Sequence, residues 1–346
     1  MFGLYRTLLA LMVVAAHVGG IPGIGAFALI GFYVLSGYLM TFIMQINYGY
    51  SKAGIIKYAL NRFLKIYPMY WMVLVISTIL IFFVGEDFSS SINISMYFPR
   101  DTIDLLRNIF IFFPFSESPR LIPPVWALTV ELFFYFLIGV GLSKNRRIVL
   151  WWFFVSAVYH PLAFYYGWDH YFTIFAASLS FSMGALVYHY RGEIERYFLP
   201  TITNKIYRSL PVVLFGWILL NWLLGYILGS RLNEAFFWAF FYLNYPVSAI
   251  LIIILSERTA LPLITSSFDK WMGDLSYSIY LVHDSIGMTV SAVLTGIRVD
   301  HNHQGFMVFV MSLPLIILTS MILSKLIGRP VERIRSVIKK KLAIFR

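Results

Sequence analysis

Apolar positions along this chain gather into stretches of roughly 20 residues, the length that crosses about 30 Å of hydrocarbon at about 1.5 Å rise per residue. Ten such stretches are predicted as helices, at 4–22, 25–46, 66–84, 124–142, 148–167, 171–190, 209–229, 235–255, 273–295 and 304–327. The first two are parted only by the turn-rich Gly19-Gly20-Ile21-Pro22-Gly23. A shorter apolar segment, 109–115, sits in the 85–123 connection and is too short to span, so it is expected at the interface or re-entering. The first stretch resembles a signal peptide with Arg6 as its basic region. It lacks a small-residue cleavage site and runs directly into a second span, so it is read as retained. No internal repeat is visible, which disfavours transporter folds built from paired halves. The longest connection, 85–123, is too short for a separate soluble domain, so any chemistry is expected within or at the edges of the bundle.

Composition strengthens this pattern. Of 346 residues, 60% are apolar or aromatic and only 12% are charged. Soluble domains run at about 45–50% and about 25%. With 32 Phe, 23 Tyr and 9 Trp, most of the apolar surface has to face lipid. The mean hydropathy of +0.77 agrees. The chain is read as an all-α polytopic membrane protein, which excludes a secreted, nuclear or disordered one. The absence of cysteine removes disulfides, thiolate metal sites and cysteine nucleophiles together.

The net charge of +11 takes its meaning from where it lies. With the N-terminus inside, the ten spans place 22 Lys and Arg on one side and 5 on the other. That split follows the positive-inside rule and puts both termini in the cytoplasm. The charge is a topology signal, with added attraction of the Lys339-Lys340-Lys341 tail to anionic lipid, and no nucleic-acid partner is expected.

Ionisable groups inside spans are costly unless they face a cavity or a partner, so they are functional candidates. They are Arg6, His17, Glu131, His189, Asp274, His283 and Asp284. Arg6 and His17 are eleven residues apart, which is three turns plus about 20°, so they share a helix face about 16 Å apart along the axis. Arg6 is placed near the cytoplasmic edge and His17 well into the bilayer. A neutral imidazole there suits a general base acting on an alcohol. The simpler alternative is that Arg6 snorkels as an anchor and His17 bonds a neighbouring helix. Ser276, Tyr280 and His283 follow i, i+4, i+7 spacing and form a polar stripe beside Tyr277. Interhelical hydrogen bonding alone would also account for it. Arg62 and Lys65, one turn apart before the third span, serve either topology or the binding of a phosphate group. No His-Glu-x-x-His pattern and no Ser-His-Asp order is present, so neither a metal site nor a hydrolase triad is expected.

Several segments taken together resemble the integral-membrane acyltransferase family 3, which includes bacterial polysaccharide and lipopolysaccharide O-acetyltransferases. Arg6 and His17 match its Arg-x10-His of the first span. Gly31-Phe32-Tyr33-Val34-Leu35-Ser36-Gly37-Tyr38 matches Gly-Phe-x-x-x-Ser-Gly-aromatic. Arg62-Phe63-Leu64-Lys65-Ile66-Tyr67-Pro68 resembles basic-x-x-basic-Ile-x-Pro, with Lys65 in place of an arginine. Trp126-Ala127-Leu128 with Glu131, Phe134 and Tyr135 resembles Trp-Ser-Leu-x-x-Glu and its aromatic pair, although Ala127 lacks the hydroxyl. Ser276-Tyr277-Ser278-Ile279-Tyr280-Leu281-Val282-His283 matches Ser-Tyr-x-x-Tyr-Leu-x-His. Gly328-Arg329-Pro330 stands where the family carries Glu-basic-Pro, without the carboxylate. The matches fall in order and cover essentially the whole chain.

The resemblance implies an acyltransferase domain over 1–330 followed by a basic cytoplasmic tail over 331–346, in a bacterial cytoplasmic (inner) membrane. It implies transfer of an acyl group, usually acetyl from acetyl-CoA, to a hydroxyl of a glycan or lipid-linked glycan. The CoA is a donor substrate, with no permanently bound cofactor and no metal expected. Arg62, Lys65 and Arg6 would hold the CoA phosphates, and His17 would deprotonate the acceptor. Ser36, Tyr277 or His283 would donate hydrogen bonds to the developing oxyanion, and Glu131 would orient His17 or the acceptor, or pair with a basic residue. The lipid bilayer is a further expected partner, and a homo-oligomer is a candidate assembly. The competing reading from another class is a transporter or flippase for a glycan or lipid, with buried His and Glu as a proton relay.

Overall fold

The computed structural model describes residues 1–113, 118–198, 204–256, 264–298 and 304–343. The described residues form thirteen α-helices and no strand. In chain order these are α1 (Gly3–His17), α2 (Ile24–Ile43), α3 (Lys52–Val84), α4 (Glu86–Ile92), α5 (Thr102–Phe110), α6 (Trp126–Val140) and α7 (Arg146–Tyr166). Then follow α8 (Ile174–Phe198), α9 (Asn204–Arg231), α10 (Glu234–Ser256), α11 (Ser266–Thr295), α12 (Phe306–Leu323) and α13 (Arg329–Ala343).

Each of the ten apolar stretches falls on one of these helices. Among the described residues, seven helical segments are long and apolar enough to cross a membrane. The remaining three differ for physical reasons. Helix α1 has only 15 residues. Helix α8 is diluted by Ser178, Ser180, Ser182 and His189, and α11 by Asp269, Lys270, Asp274, His283 and Asp284. The helices that fall short on apolarity include the one with most of the candidate chemistry, as a helix lined with partners for polar groups has to be. The apolar segment at 109–115 ends α5, with Ile111 in the left-handed region at φ 56°, and its residues 114–115 lie outside the described residues. So do 344–346 of the tail, and the side chains of Lys339, Lys340 and Lys341 are likewise outside them.

The chain forms two compact units, whose boundaries fall inside α1, α3, α6 and α11 and in the connection between α1 and α2. The first comprises 1–9, 22–56 and 130–271. Its centre is the contact of α2 with α8, made possible by glycine. A Cβ on Gly37 would lie 2.2 Å from the Phe181 carbonyl oxygen, and one on Gly184 would lie 2.0 Å from that of Val34. Both are far inside van der Waals contact, so the two backbones touch only because the side chains are missing, as in small-residue interfaces between membrane helices. Phe181, fully buried there, stacks on Phe134 at 4.5 Å and lies 4.9 Å from Tyr33. The Asp269 carboxylate accepts from the backbone N–H groups of Gly3 and Leu4, satisfying donors that the first turn of α1 leaves open.

The second unit comprises 10–21, 57–129 and 272–346. Its apolar core joins Ile81, Phe88, Met96, Leu121, Met288 and Ala292. Asn108 pins the connection after α5: its amide donates to the Pro119 carbonyl (2.8 Å) and its side-chain oxygen accepts from Leu121 N–H (3.1 Å). Tyr70 donates from the body of α3 to the Asn108 carbonyl. Within this unit the end of α1 lies against α11 at Gly287, where an added Cβ would sit 2.8 Å from Val18 Cγ2. That close approach brings the last residue of α1 beside the residue one turn before Gly287.

Candidate functional site

Those two residues are His17 and His283. His17 Nδ1 lies 3.0 Å from His283 Nε2, with ring centroids 5.1 Å apart. Asp284, next along α11, brings its Oδ1 to 3.4 Å from His17 Nδ1 and 3.3 Å from His283 Nε2. On its far side the His283 ring turns Nδ1 to the Tyr280 carbonyl at 2.8 Å. The Tyr280 hydroxyl in turn donates to the Pro124 carbonyl at 2.6 Å, fixing α11 to the entry of α6. The His283 side chain is completely enclosed, whereas 39% of the His17 side chain remains accessible. The cluster therefore has a closed back and an open front, and the front is His17.

In the first unit, Ser36 and Glu131 come together as a second group. Ser36 Oγ donates to Glu131 Oε1 at 2.5 Å, and the Tyr135 hydroxyl donates to the same oxygen. Helix α6 supplies Glu131 and Tyr135 one turn apart, so both face α2. Glu131 thus takes hydroxyl partners within its own unit. Ser36 has its proton committed to that carboxylate rather than held out towards a substrate.

The remaining expected residues are placed as follows. Tyr277 donates its hydroxyl to the Ile66 carbonyl at 3.1 Å, tying α11 to α3 beside Pro68. Arg62 and Lys65 lie on α3 in the second unit. Arg62 donates to the Asn61 side-chain oxygen at 2.8 Å, and Arg335 of α13 donates to the same oxygen at 2.9 Å. Arg335 is only 6% exposed and also pairs with Glu332. Arg6 lies half-buried on α1, within the first unit.

Two participants escaped sequence reasoning. Asp284 was visible only as one more ionisable residue in a span, because its partner His17 lies far away along the chain. Arg335 reads in the sequence as part of a basic tail, whereas in the structure it reaches back to Asn61, the residue beside Arg62. The missing signal was the same in both cases: contacts closed across most of the chain length leave no local spacing to read. The structure also brings three residues of metal-ligating type together where no sequence motif suggests it, since His17, His283 and Asp284 lie close enough to share an ion. The arrangement can do one of two things: pass a proton along His17, or hold a cation at its inner nitrogen.

Among the described residues, helices alone, seven of them long and apolar enough to cross a membrane, and a half-open histidine cluster define a membrane protein with candidate chemistry on its helices. The chain belongs to acyltransferase family 3: the model of that family, described as an acyltransferase domain, matches residues 3–325. It is an integral-membrane acyltransferase. No curated protein and no solved structure matches it.

Proposed function

We propose that the protein transfers an acetyl group from cytoplasmic acetyl-CoA to a hydroxyl of a cell-envelope or extracellular glycan, with His17 as general base. The observation that carries this reading is the state of His17. Its inner nitrogen is engaged by His283 and Asp284, while Nε2 makes no hydrogen bond among the described residues and the ring is accessible. In the reaction the acceptor hydroxyl loses its proton to Nε2 as its oxygen bonds to the thioester carbonyl carbon. Collapse of the tetrahedral intermediate breaks the carbon–sulfur bond, and the proton on His17 passes to the departing thiolate. Arg62 and Lys65, one turn apart on α3, bind the phosphates of CoA. The Arg62 guanidinium already has one donor on Asn61, which holds the plane of its fork in place for a phosphate.

The placement we propose has ten spans and both termini cytoplasmic, in a bacterial inner membrane, with 1–330 as the catalytic domain and 331–346 as a basic cytoplasmic tail. The charge split of 22 to 5 supports it. The test is to incubate membranes containing the protein with radiolabelled acetyl-CoA and envelope glycan. Label should appear in the glycan, and Arg62→Ala should raise the KM for acetyl-CoA by roughly ten-fold or more, as loss of a charged phosphate contact does. Unlabelled glycan together with proton-coupled uptake of that glycan would replace this reading with transport.

A further inference from the structure

We propose that Asp284, acting with His283, is a positioning residue that keeps the His17 proton on Nδ1 and so leaves the lone pair of Nε2 facing the acceptor. The inference rests on the reading of His17 as the base and names what sets that base.

The hydrogen positions follow from the acceptors. A backbone carbonyl can only accept, so the 2.8 Å contact to Tyr280 places a hydrogen on His283 Nδ1. The neutral His283 ring then has a bare lone pair on Nε2, which points at His17 Nδ1 from 3.0 Å. The carboxylate Oδ1 of Asp284 is a second acceptor, 3.4 Å from the same nitrogen and 3.3 Å from His283 Nε2, and a neutral His283 with its hydrogen on Nδ1 has none on Nε2 to give it. Two acceptors converging on one ring nitrogen require a hydrogen there. His17 is therefore the Nδ1–H tautomer, and its only unprotonated nitrogen is Nε2.

Asp284 contributes something that His283 cannot. When Nε2 takes the acceptor's proton the ring becomes an imidazolium, and the largely enclosed carboxylate at 3.4 Å offsets that charge from the protein side of the ring. The remainder of Asp284 supports this role over a structural one. Its Oδ2 is buried and makes no hydrogen bond among the described residues. A carboxylate kept for packing would be expected to have both oxygens bonded, since leaving one bare costs stability. Here the charge is brought in through one oxygen, and that oxygen faces the base. The logic is that of a carboxylate holding a catalytic histidine in one tautomer, assembled from the end of one helix and the middle of another.

The experiment uses the full-length protein in lipid nanodiscs with radiolabelled acetyl-CoA and envelope glycan. Asp284→Asn should lower kcat on the order of 10²–10⁴-fold with KM for acetyl-CoA unchanged. Asp284→Glu, which keeps the carboxylate, should recover part of the loss. A kcat within two-fold of wild type in a folded Asp284→Asn protein would overturn the proposal, as would an equal rise in KM. The wild-type protein offers a test that needs no variant. Nitrogen NMR of isotope-labelled histidine should show the His17 hydrogen on Nδ1, and a hydrogen on Nε2 would overturn the assignment. A chelator should leave wild-type activity intact. Loss of activity on chelation, restored by zinc, would mean that the three atoms hold a cation rather than a proton, and would also overturn it. If His17→Ala is inactive while Asp284→Asn is not, this inference fails and the function stands. If wild type itself transfers no label, the function fails, and the tautomer measurement still decides the positioning.

Discussion

Glu131 receives two hydroxyl donors on a single oxygen, from Ser36 and from Tyr135. Removing the acceptor takes from each hydroxyl its closest partner in the interior of the first unit, leaving the longer 3.4 Å contact between them, and loss of a buried hydrogen bond costs about 1–3 kcal/mol. Glu131→Leu should therefore lower the midpoint of thermal unfolding in detergent, whereas Glu131→Gln, which retains an acceptor oxygen, should lower it much less. Equal losses in the two variants would mean that the carboxylate charge matters beyond its acceptor capacity. At this scale the sequence singles out individual residues but not their partners. Ser36 and Glu131 stood in separate motifs with nothing to say that they meet. His17 and His283 were each conspicuous as polar groups in lipid-like segments. That Asp284 completes their cluster could not be read, because a carboxylate beside a histidine on one helix says nothing about the ring arriving from another.

Helix contacts turn on three glycines. Gly37 and Gly184 allow α2 and α8 to meet backbone to backbone, and any Cβ there would fall at 2.0–2.2 Å from a carbonyl oxygen. Gly184→Ala should force the two helices apart and destabilise the protein by about 1–3 kcal/mol or more, measured as reduced folded yield and a lower Tm. A variant of unchanged Tm would contradict the packing described here. Gly287 has a more local part, since its missing Cβ lets Val18, and with it His17, approach α11. Gly287→Val should slow the reaction by displacing His17 from His283, with a smaller effect on stability than Gly184→Ala, because the obstruction is a side chain that can rotate. A kcat equal to wild type would contradict that. Gly37 was legible in the sequence as part of a motif, but the reason for it was not. The shorter spacing of α1 and the polar interruptions of α8 and α11 likewise show why ten apolar stretches do not become ten equally apolar helices.

For the whole molecule, the strongest legible signal was the distribution of charge, which needs no tertiary contact to be read. The orientation proposed from it puts residue 336, in the tail, inside and residue 233, in a connection, outside. The chain contains no cysteine, so single cysteines can be introduced without background. In intact cells a membrane-impermeant maleimide should label Asn233→Cys and not Ser336→Cys, with the reverse in inverted vesicles. Labelling of both from one side would contradict the orientation. The same signal could not reveal where the acyl group goes, because the acceptor is recognised by the shape of a space that periodicity does not describe. The most direct test of the central claim is acetyl transfer by purified protein with and without the His17 imidazole. Wild type should move radiolabel from acetyl-CoA to envelope glycan, and folded His17→Ala should do so at least 10²-fold more slowly, the contribution of about 10²–10⁴-fold expected of a general base. Transfer by His17→Ala at the wild-type rate would contradict the account.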